Sequence, residues 1–213
     1  MRRPGSSAGS GKAGRGQVRR RGRARRRLLT LLVLAALVLG VRAAVMKGYP
    51  LAYRSEITEC ARGHGIDPYL IAAVIRAESR FRPEATSPQG ARGLMQLMPD
   101  TGRWVAAQMG LPYDDAYLYD PVYNIRLGCW YLAALLGEFA GDPVRALAAY
   151  NGGMSNVYSW LDTQQWTGER DTLSQIPFSE TRHYVANVLR DQRRYRLIYG
   201  DWKPERTGGD DGA

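Results

Sequence analysis

The stretch Asp67-Pro68-Tyr69-Leu70-Ile71-Ala72-Ala73-Val74-Ile75-Arg76-Ala77-Glu78-Ser79 decides the fold class. An Asp at the N-cap accepts from the orphan amides of a first helical turn, and a Pro at the next position loses nothing by lacking an N–H. Ile71, Ile75 and Glu78 then share one face, with Leu70, Val74 and Ala77 beside it, which is the period of a helix and not of a strand. The same Asp-Pro opening recurs at Asp120-Pro121 and Asp142-Pro143. After the second, Ile125, Cys129, Leu132 and Leu136 keep helical spacing towards Gly141. The third opens a short helix through Leu147 and Tyr150, stopped by Asn151-Gly152-Gly153 as a C-cap. A last long helix follows Pro177-Phe178-Ser179, carries Val185, Val188, Leu189, Tyr195 and Ile198, and ends at Gly200. Weaker helices are expected over about 51–62 and about 101–109. No segment shows sustained strand alternation, and no internal repeat is present. The fold class is therefore mostly α, a single domain from about 50 to 200, with 82–93 and 162–177 its least regular segments.

The charge is unevenly placed. The chain has 213 residues, with 30 Lys plus Arg against 20 Asp plus Glu, a formal charge of +10. Eleven of the basic residues and no acid fall within residues 1–27, so the other 186 residues carry 19 basic and 20 acidic groups, a net of −1. A nucleic-acid-binding domain keeps its positive charge on the folded surface, where it neutralises phosphates. Nucleic acid is therefore not an expected partner. A hydrophobic content of 45% excludes a wholly disordered chain.

Residues 1–27 are Gly-, Ser- and Arg-rich and are read as a disordered basic cytoplasmic leader. Leu28 to Val41 then run without a charge before Arg42 and the apolar patch Ala43 to Met46. Segment 28–46 reads as a single-pass membrane anchor whose basic flank keeps the N-terminus in the cytoplasm. A signal peptide cut near Val41-Arg42-Ala43 is the other reading; the long basic flank and the missing Ala-x-Ala favour the anchor. Either way residues 47–202 form an extracytoplasmic domain, and 203–213 a polar disordered tail. Cys60 and Cys129 both lie in the exported part, as a disulfide or as two buried thiols. Two cysteines and two separated histidines make no zinc pattern, so no metal and no cofactor is expected.

Glu78 stands out for its chemistry. It projects from an apolar stripe near a helix C-terminus, where the macrodipole and desolvation both disfavour the charged form. A raised pKa is what a general acid near neutral pH requires. A boundary carboxylate paired with Arg76, Arg80 or Arg82 is the plainer explanation. Downstream, Ser87-Pro88-Gln89-Gly90-Ala91-Arg92-Gly93 is a loop, and Leu94-Met95-Gln96-Leu97-Met98-Pro99 places an amide and soft apolar side chains in a short turn, as a sugar cleft needs. Glu180, Tyr184 and Asn187 share one face of the last helix. Trp160 and Trp166 stand near the irregular segment 162–177 as sugar-stacking or lid residues, with core packing explaining Trp160 equally well.

Four motifs in order, Glu78-Ser79-Arg80-Phe81, Gly93-Leu94-Met95-Gln96-Leu97-Met98-Pro99, Ala149-Tyr150-Asn151-Gly152-Gly153 and Glu180-Thr181-Arg182-His183-Tyr184-Val185, resemble those of the soluble lytic transglycosylase family over about residues 55–200. The resemblance implies a goose-lysozyme-like α fold and a single catalytic domain behind the membrane anchor. It also implies cleavage of peptidoglycan glycan strands with formation of a 1,6-anhydromuramic end, by a monomer working without cofactor. It makes Glu78 the single catalytic acid/base and Ser87 the partner of the substrate's N-acetyl group. Gln96, Met98, Tyr150, Asn151, Glu180 and Tyr184 become substrate-binding residues. Two other readings stay open: a hydrolytic muramidase drawing on Asp100, Asp114, Asp115 or Asp120, and a non-catalytic tethered peptidoglycan-binding protein.

Overall fold

A computed structural model describes residues 13–202; the expected polar tail 203–213 and the first twelve residues of the leader lie outside the described residues. The chain divides into two units, Met1–Gly48 and Tyr49–Ala213. The first holds one helix, α1 (Ala13–Gly48). Its stretch Leu29–Gly48 is long and apolar enough to cross a membrane. Of the leader 1–27, read from its composition as disordered, the residues from Ala13 onward fall within α1. A composition with nothing to bury argues against a core, but Arg and Ala are among the best intrinsic helix formers.

Among its described residues the second unit is built from seven α-helices and two short 3-10 turns. The α-helices are α2 (Arg54–His64), α3 (Pro68–Ser79), α4 (Pro99–Gln108), α5 (Pro121–Glu138), α6 (Pro143–Gly152), α7 (Met154–Asp162) and α8 (Ser179–Tyr199). The 3-10 turns cover Asp115–Tyr119 and Arg170–Gln175. Among the described residues no strand forms; Thr86 and Leu97 each make one isolated bridge to Arg92. All three Asp-Pro pairs behave as capped starts. The Oδ1 atoms of Asp67, Asp120 and Asp142 accept from the backbone N–H of Tyr69, Tyr123 and Val144 at 3.0, 2.7 and 2.8 Å.

The sequence expectation omitted α7. It begins at Gly153, which offers no side-chain cap, and only Val157 and Trp160 are buried on it. Helix α3 is also more central than a one-sided stripe implies, since every residue from Tyr69 to Ile75 is buried. It lies against α2 and α8, while α5 and α6 close the far side of the core. Trp160 and Trp166 both belong to this core, at 4% and 1% exposure, so neither is a lid or a sugar platform. A smaller second cluster, Leu97, Val105, Ala106, Leu118 and Leu127, seats α4 and the first 3-10 turn on α5.

Cys60 of α2 and Cys129 of α5 form a disulfide across 69 residues, which resolves the open choice in favour of the bridge. A cross-link of that span restricts the unfolded chain by about 4 kcal/mol in the chain-entropy account. Replacing both cysteines by serine is expected to lower the unfolding free energy by about 2–4 kcal/mol. Denaturant titration followed by tryptophan fluorescence measures this, and an unchanged midpoint contradicts it.

Candidate active site

Helix α3 ends with the carboxyl of interest. Ser79 closes the helix, buried, its Oγ donating to the Ile75 carbonyl at 3.1 Å. Arg80 and Phe81 follow with φ of 54° and 63°, two successive left-handed residues without the freedom of glycine. This turn takes the chain away from α3 and leaves Glu78 facing a cleft of about 660 Å³. The walls are the loop from Ser87 to Met98, the end of α6 at Tyr150 to Gly152, and the start of α8.

Burial pushes the Glu78 carboxyl up to about 7; the Tyr184 hydroxyl draws it back somewhat, and the nearby Glu180 carboxylate adds to the rise. The plainer alternative, an ion pair with a neighbouring arginine, is not what forms. Arg76 pairs with the buried Asp191, Arg82 donates from Nε to the Ser79 carbonyl at 3.1 Å, and Arg80 is exposed. Among the described residues Glu78 has no ion-pair partner.

Seven of the eight sequence-selected residues line this one cleft: Glu78, Ser87, Gln96, Met98, Tyr150, Asn151 and Glu180. Tyr184, the eighth, sits behind the carboxyl. Its buried hydroxyl is close enough to act on Glu78 yet makes no hydrogen bond of full geometry. Burial, with the Glu78 charge added, holds both Tyr184 and Tyr150 well above the usual phenol range, so both remain donors. Asn187, on the same face of α8, is outside the cleft and accepts from Arg190 at 2.6 Å.

Each wall residue has a defined local task. Ser87 Oγ accepts from the Ala91 N–H at 3.0 Å, which holds the turn and leaves the hydroxyl proton free to donate. Gln96, at φ 47°, donates both its amide protons, to the carbonyls of Ala85 and Gly93 at 3.0 and 2.8 Å. Only its Oε1 is left for a ligand. Tyr150 donates to the Met95 carbonyl at 2.9 Å and packs on Tyr131. Asn151 lies within α6, and the helix is capped by Gly153 instead, so Asn151 is not its C-cap. Gly152 is required by close approach: a Cβ there would stand 2.9 Å from Thr181 Oγ1 of α8.

Sequence reading missed Asn124 and Phe178. Phe178 lines the cleft at 45% exposure, edge-on to Trp160. Asn124 is fully buried on α5 and fastens the cleft floor. Its Oδ1 accepts from the Met95 N–H at 2.7 Å, and its Nδ2 donates to the carbonyls of Arg92 and Leu118 at 3.0 and 2.8 Å. A buried polar residue on the Asn124, Gly128, Leu132 row of α5 was the available signal. Gly128 belongs to the same fit, because a Cβ there would come within 2.4 Å of Met95 Sδ.

The aspartates open to a hydrolytic reading are committed elsewhere. Asp114 and Asp120 cap helical turns, and Asp100 and Asp115 pair with Arg103. No group of His, Cys, Asp or Glu among the described residues is arranged to hold a metal ion.

An all-helical domain with one desolvated carboxyl at the base of an open cleft is of the lysozyme-like class. Residues 55–173 match the transglycosylase SLT domain, and residues 175–204 match the soluble lytic transglycosylase helical domain. The chain belongs to the SLT transglycosylase family. Its relatives include the soluble lytic murein transglycosylase of Salmonella typhimurium, 38% identical over 71% of this chain and 24% of that protein. Membrane-bound lytic murein transglycosylase C of Actinobacillus pleuropneumoniae is 32% identical over 68% of this chain and 46% of that protein. Among solved structures, the 70-kDa soluble lytic transglycosylase of Escherichia coli superposes with a TM-score of 0.68 at 34% identity, covering 74% of this chain and 26% of that one. An inactive glutamate-to-glutamine mutant of the lytic transglycosylase Slt from Pseudomonas aeruginosa gives 0.64 at 36% identity, covering 73% and 26%. The chain thus spans about a quarter of the length of the soluble relatives it matches.

Two outcomes follow for stability. Asn124→Ala leaves the buried Met95 N–H and Leu118 carbonyl without partners, the Arg92 carbonyl keeping the Leu97 N–H, and is expected to cost about 3 kcal/mol, read as a lowered denaturation midpoint. Folding raises the Glu78 pKa to about 7, so its stabilising share is complete below the unfolded carboxylate value and is lost as pH rises through about 7. Glu78→Gln has no such proton to lose. It is expected to gain about 2 kcal/mol on the wild type between about pH 5 and pH 8, discounting for the carboxyl's partial opening to solvent. Parallel pH dependences of the two proteins would contradict a desolvated carboxyl.

Proposed function

We propose that this chain is a membrane-anchored peptidoglycan lytic transglycosylase in which Glu78 is the single acid/base. The supporting observation is a carboxyl held at about 7 by burial, in an open cleft, with no cation in ion-pair reach among the described residues. Such a group is protonated often enough to give its proton and basic enough to take one back.

Glu78 protonates the oxygen linking N-acetylmuramic acid to N-acetylglucosamine as the C1–O bond breaks. The substrate's own N-acetyl oxygen bonds to C1, and the N-acetylglucosamine end leaves as an alcohol. The Glu78 carboxylate then removes the proton of the C6 hydroxyl, whose oxygen attacks C1 and displaces the N-acetyl oxygen. A 1,6-anhydro ring results, Glu78 is protonated again, and no water is consumed. Ser87 donates to the N-acetyl group. Tyr184 donates to the Glu78 carboxylate between the two proton transfers. Gln96, Met98, Tyr150, Asn151 and Glu180 hold the glycan. Substrate assistance replaces the second carboxylate of ordinary glycosidases.

The relatives named as murein transglycosylases support this reading, as does the inactivity of the Pseudomonas protein whose glutamate is a glutamine. The domain is assigned to 47–202 and to the outer side of the membrane, with the N-terminus cytoplasmic. The basic flank of the apolar segment and the Cys60–Cys129 disulfide support that topology. The cleft is lined within one chain, as monomeric action requires.

The detergent-solubilised full chain, incubated with purified peptidoglycan, is expected to release fragments with anhydromuramic ends that resist borohydride reduction. Glu78→Gln is expected to abolish release while retaining glycan binding. The rate should fall as pH rises above about 7, where the acid form of Glu78 is lost. Reducible ends would establish a hydrolase, and full activity in Glu78→Gln would remove that residue from the chemistry.

A further inference from the structure

We propose that Trp104 is an outer sugar-stacking platform that extends the cleft along α4 and α5 and selects long glycan strands over short ones. The inference rests on the glycan-cleaving reading and adds a binding position that the cleft itself does not contain.

Trp104 is 48% exposed on α4. Its neighbours on that helix, Val105 and Ala106, are fully buried and seat it on α5. Trp104 adds only an edge to that seat, and the half of its indole left in water is apolar surface that a ligand could cover. It meets two rings of α5, Trp130 at 5.5 Å and Tyr131 at 6.4 Å, both edge-on, and among the described residues no guanidinium lies over it. Tyr131 in turn packs at 5.3 Å on Tyr150, which lines the cleft. The exposed indole is thus two ring contacts from a residue beside Glu78.

This row has the make-up of a carbohydrate track. Apolar sugar faces lie on aromatic rings, and hydroxyls need polar groups at the rim. Gln108 supplies one: it is exposed, one helical turn beyond Trp104, and its side-chain amide makes no hydrogen bond among the described residues. Arg103, by contrast, is engaged by Asp100 and Asp115. Met98, at the start of the same helix and 42% exposed, places an apolar side chain of α4 in the cleft itself. A strand long enough to leave the cleft on this side would cover the indole. A fragment filling only the cleft would not reach it.

Binding is measured on the full-length Glu78→Gln protein, so that strands stay intact. Trp104→Ala in that background is expected to weaken the affinity for long purified glycan strands about tenfold, equivalent to about 1.4 kcal/mol, and to leave that for short saccharide fragments unchanged. Trp104→Tyr, which keeps a ring, should restore most of the loss. Far-ultraviolet circular dichroism and the denaturation midpoint check that the fold is intact. Equal affinities of Glu78→Gln with and without Trp104→Ala for long strands would overturn the proposal, as would an equal loss for long and short ligands. Failure of the lytic reading would show separately, as wild-type protein that releases no fragments.

Discussion

The carboxamide of Asn124 holds the cleft together. A loop that crosses a domain interior exposes backbone groups that must find partners, and the segment from Arg92 to Met98 does cross it. One side chain on α5 meets two of those groups, at Arg92 and Met95, and a third backbone group at Leu118. Gly93 fits beside it only because it has no Cβ, which would stand 2.0 Å from the Leu118 carbonyl. Gly128 admits Met95, and Tyr150 donates to the carbonyl of that same residue. The floor of the cleft is therefore fixed by directional contacts and tight fits rather than by burial alone. That rigidity keeps Gln96 and Met98 at set places opposite Glu78.

The electrostatics of Glu78 depend equally on what surrounds it. Arginines at positions 76, 80 and 82 could each have neutralised the carboxylate and lowered its pKa. The turn at Arg80 and Phe81 and the buried Asp191 prevent this, the first by redirecting the chain and the second by engaging Arg76. The Arg76 guanidinium also lies 4.2 Å from the centre of the Tyr49 ring. With the cations engaged elsewhere, desolvation prevails. The strained turn and the buried acid of α8 thus serve the same end from opposite sides of α3.

Much of this was legible in the sequence because it is local. An Asp-Pro pair states its own helix start, and a lone Glu on an apolar helical face declares an unusual carboxyl. The α-fold and the set of residues around the cleft followed from such signals and from the four motifs. What escaped was either weakly signalled or long-range. Helix α7 starts at a glycine with no capping side chain. The task of Asn124 depends on partners that only folding brings near, Met95 and Arg92 being 29 and 32 residues away. Trp160 and Trp166 look alike as sugar platforms or core, and only packing around α7 decides between them. In the leader, the lack of anything to bury speaks to tertiary structure and leaves helix formation open.

Gln96 gives the cleft a polarity of its own. Two carbonyls, from Ala85 and Gly93, fix the amide with its nitrogen inward, so the side chain cannot flip to suit a ligand. At this position the loop presents an acceptor, with the carboxyl groups of Glu78 and Glu180 and the Ser87 hydroxyl elsewhere on the cleft wall. Ligands rich in donors, with free hydroxyls and amide N–H groups, are welcome at such a surface. The hydrogen-bond direction at Gln96 is thus set by the backbone of one short loop.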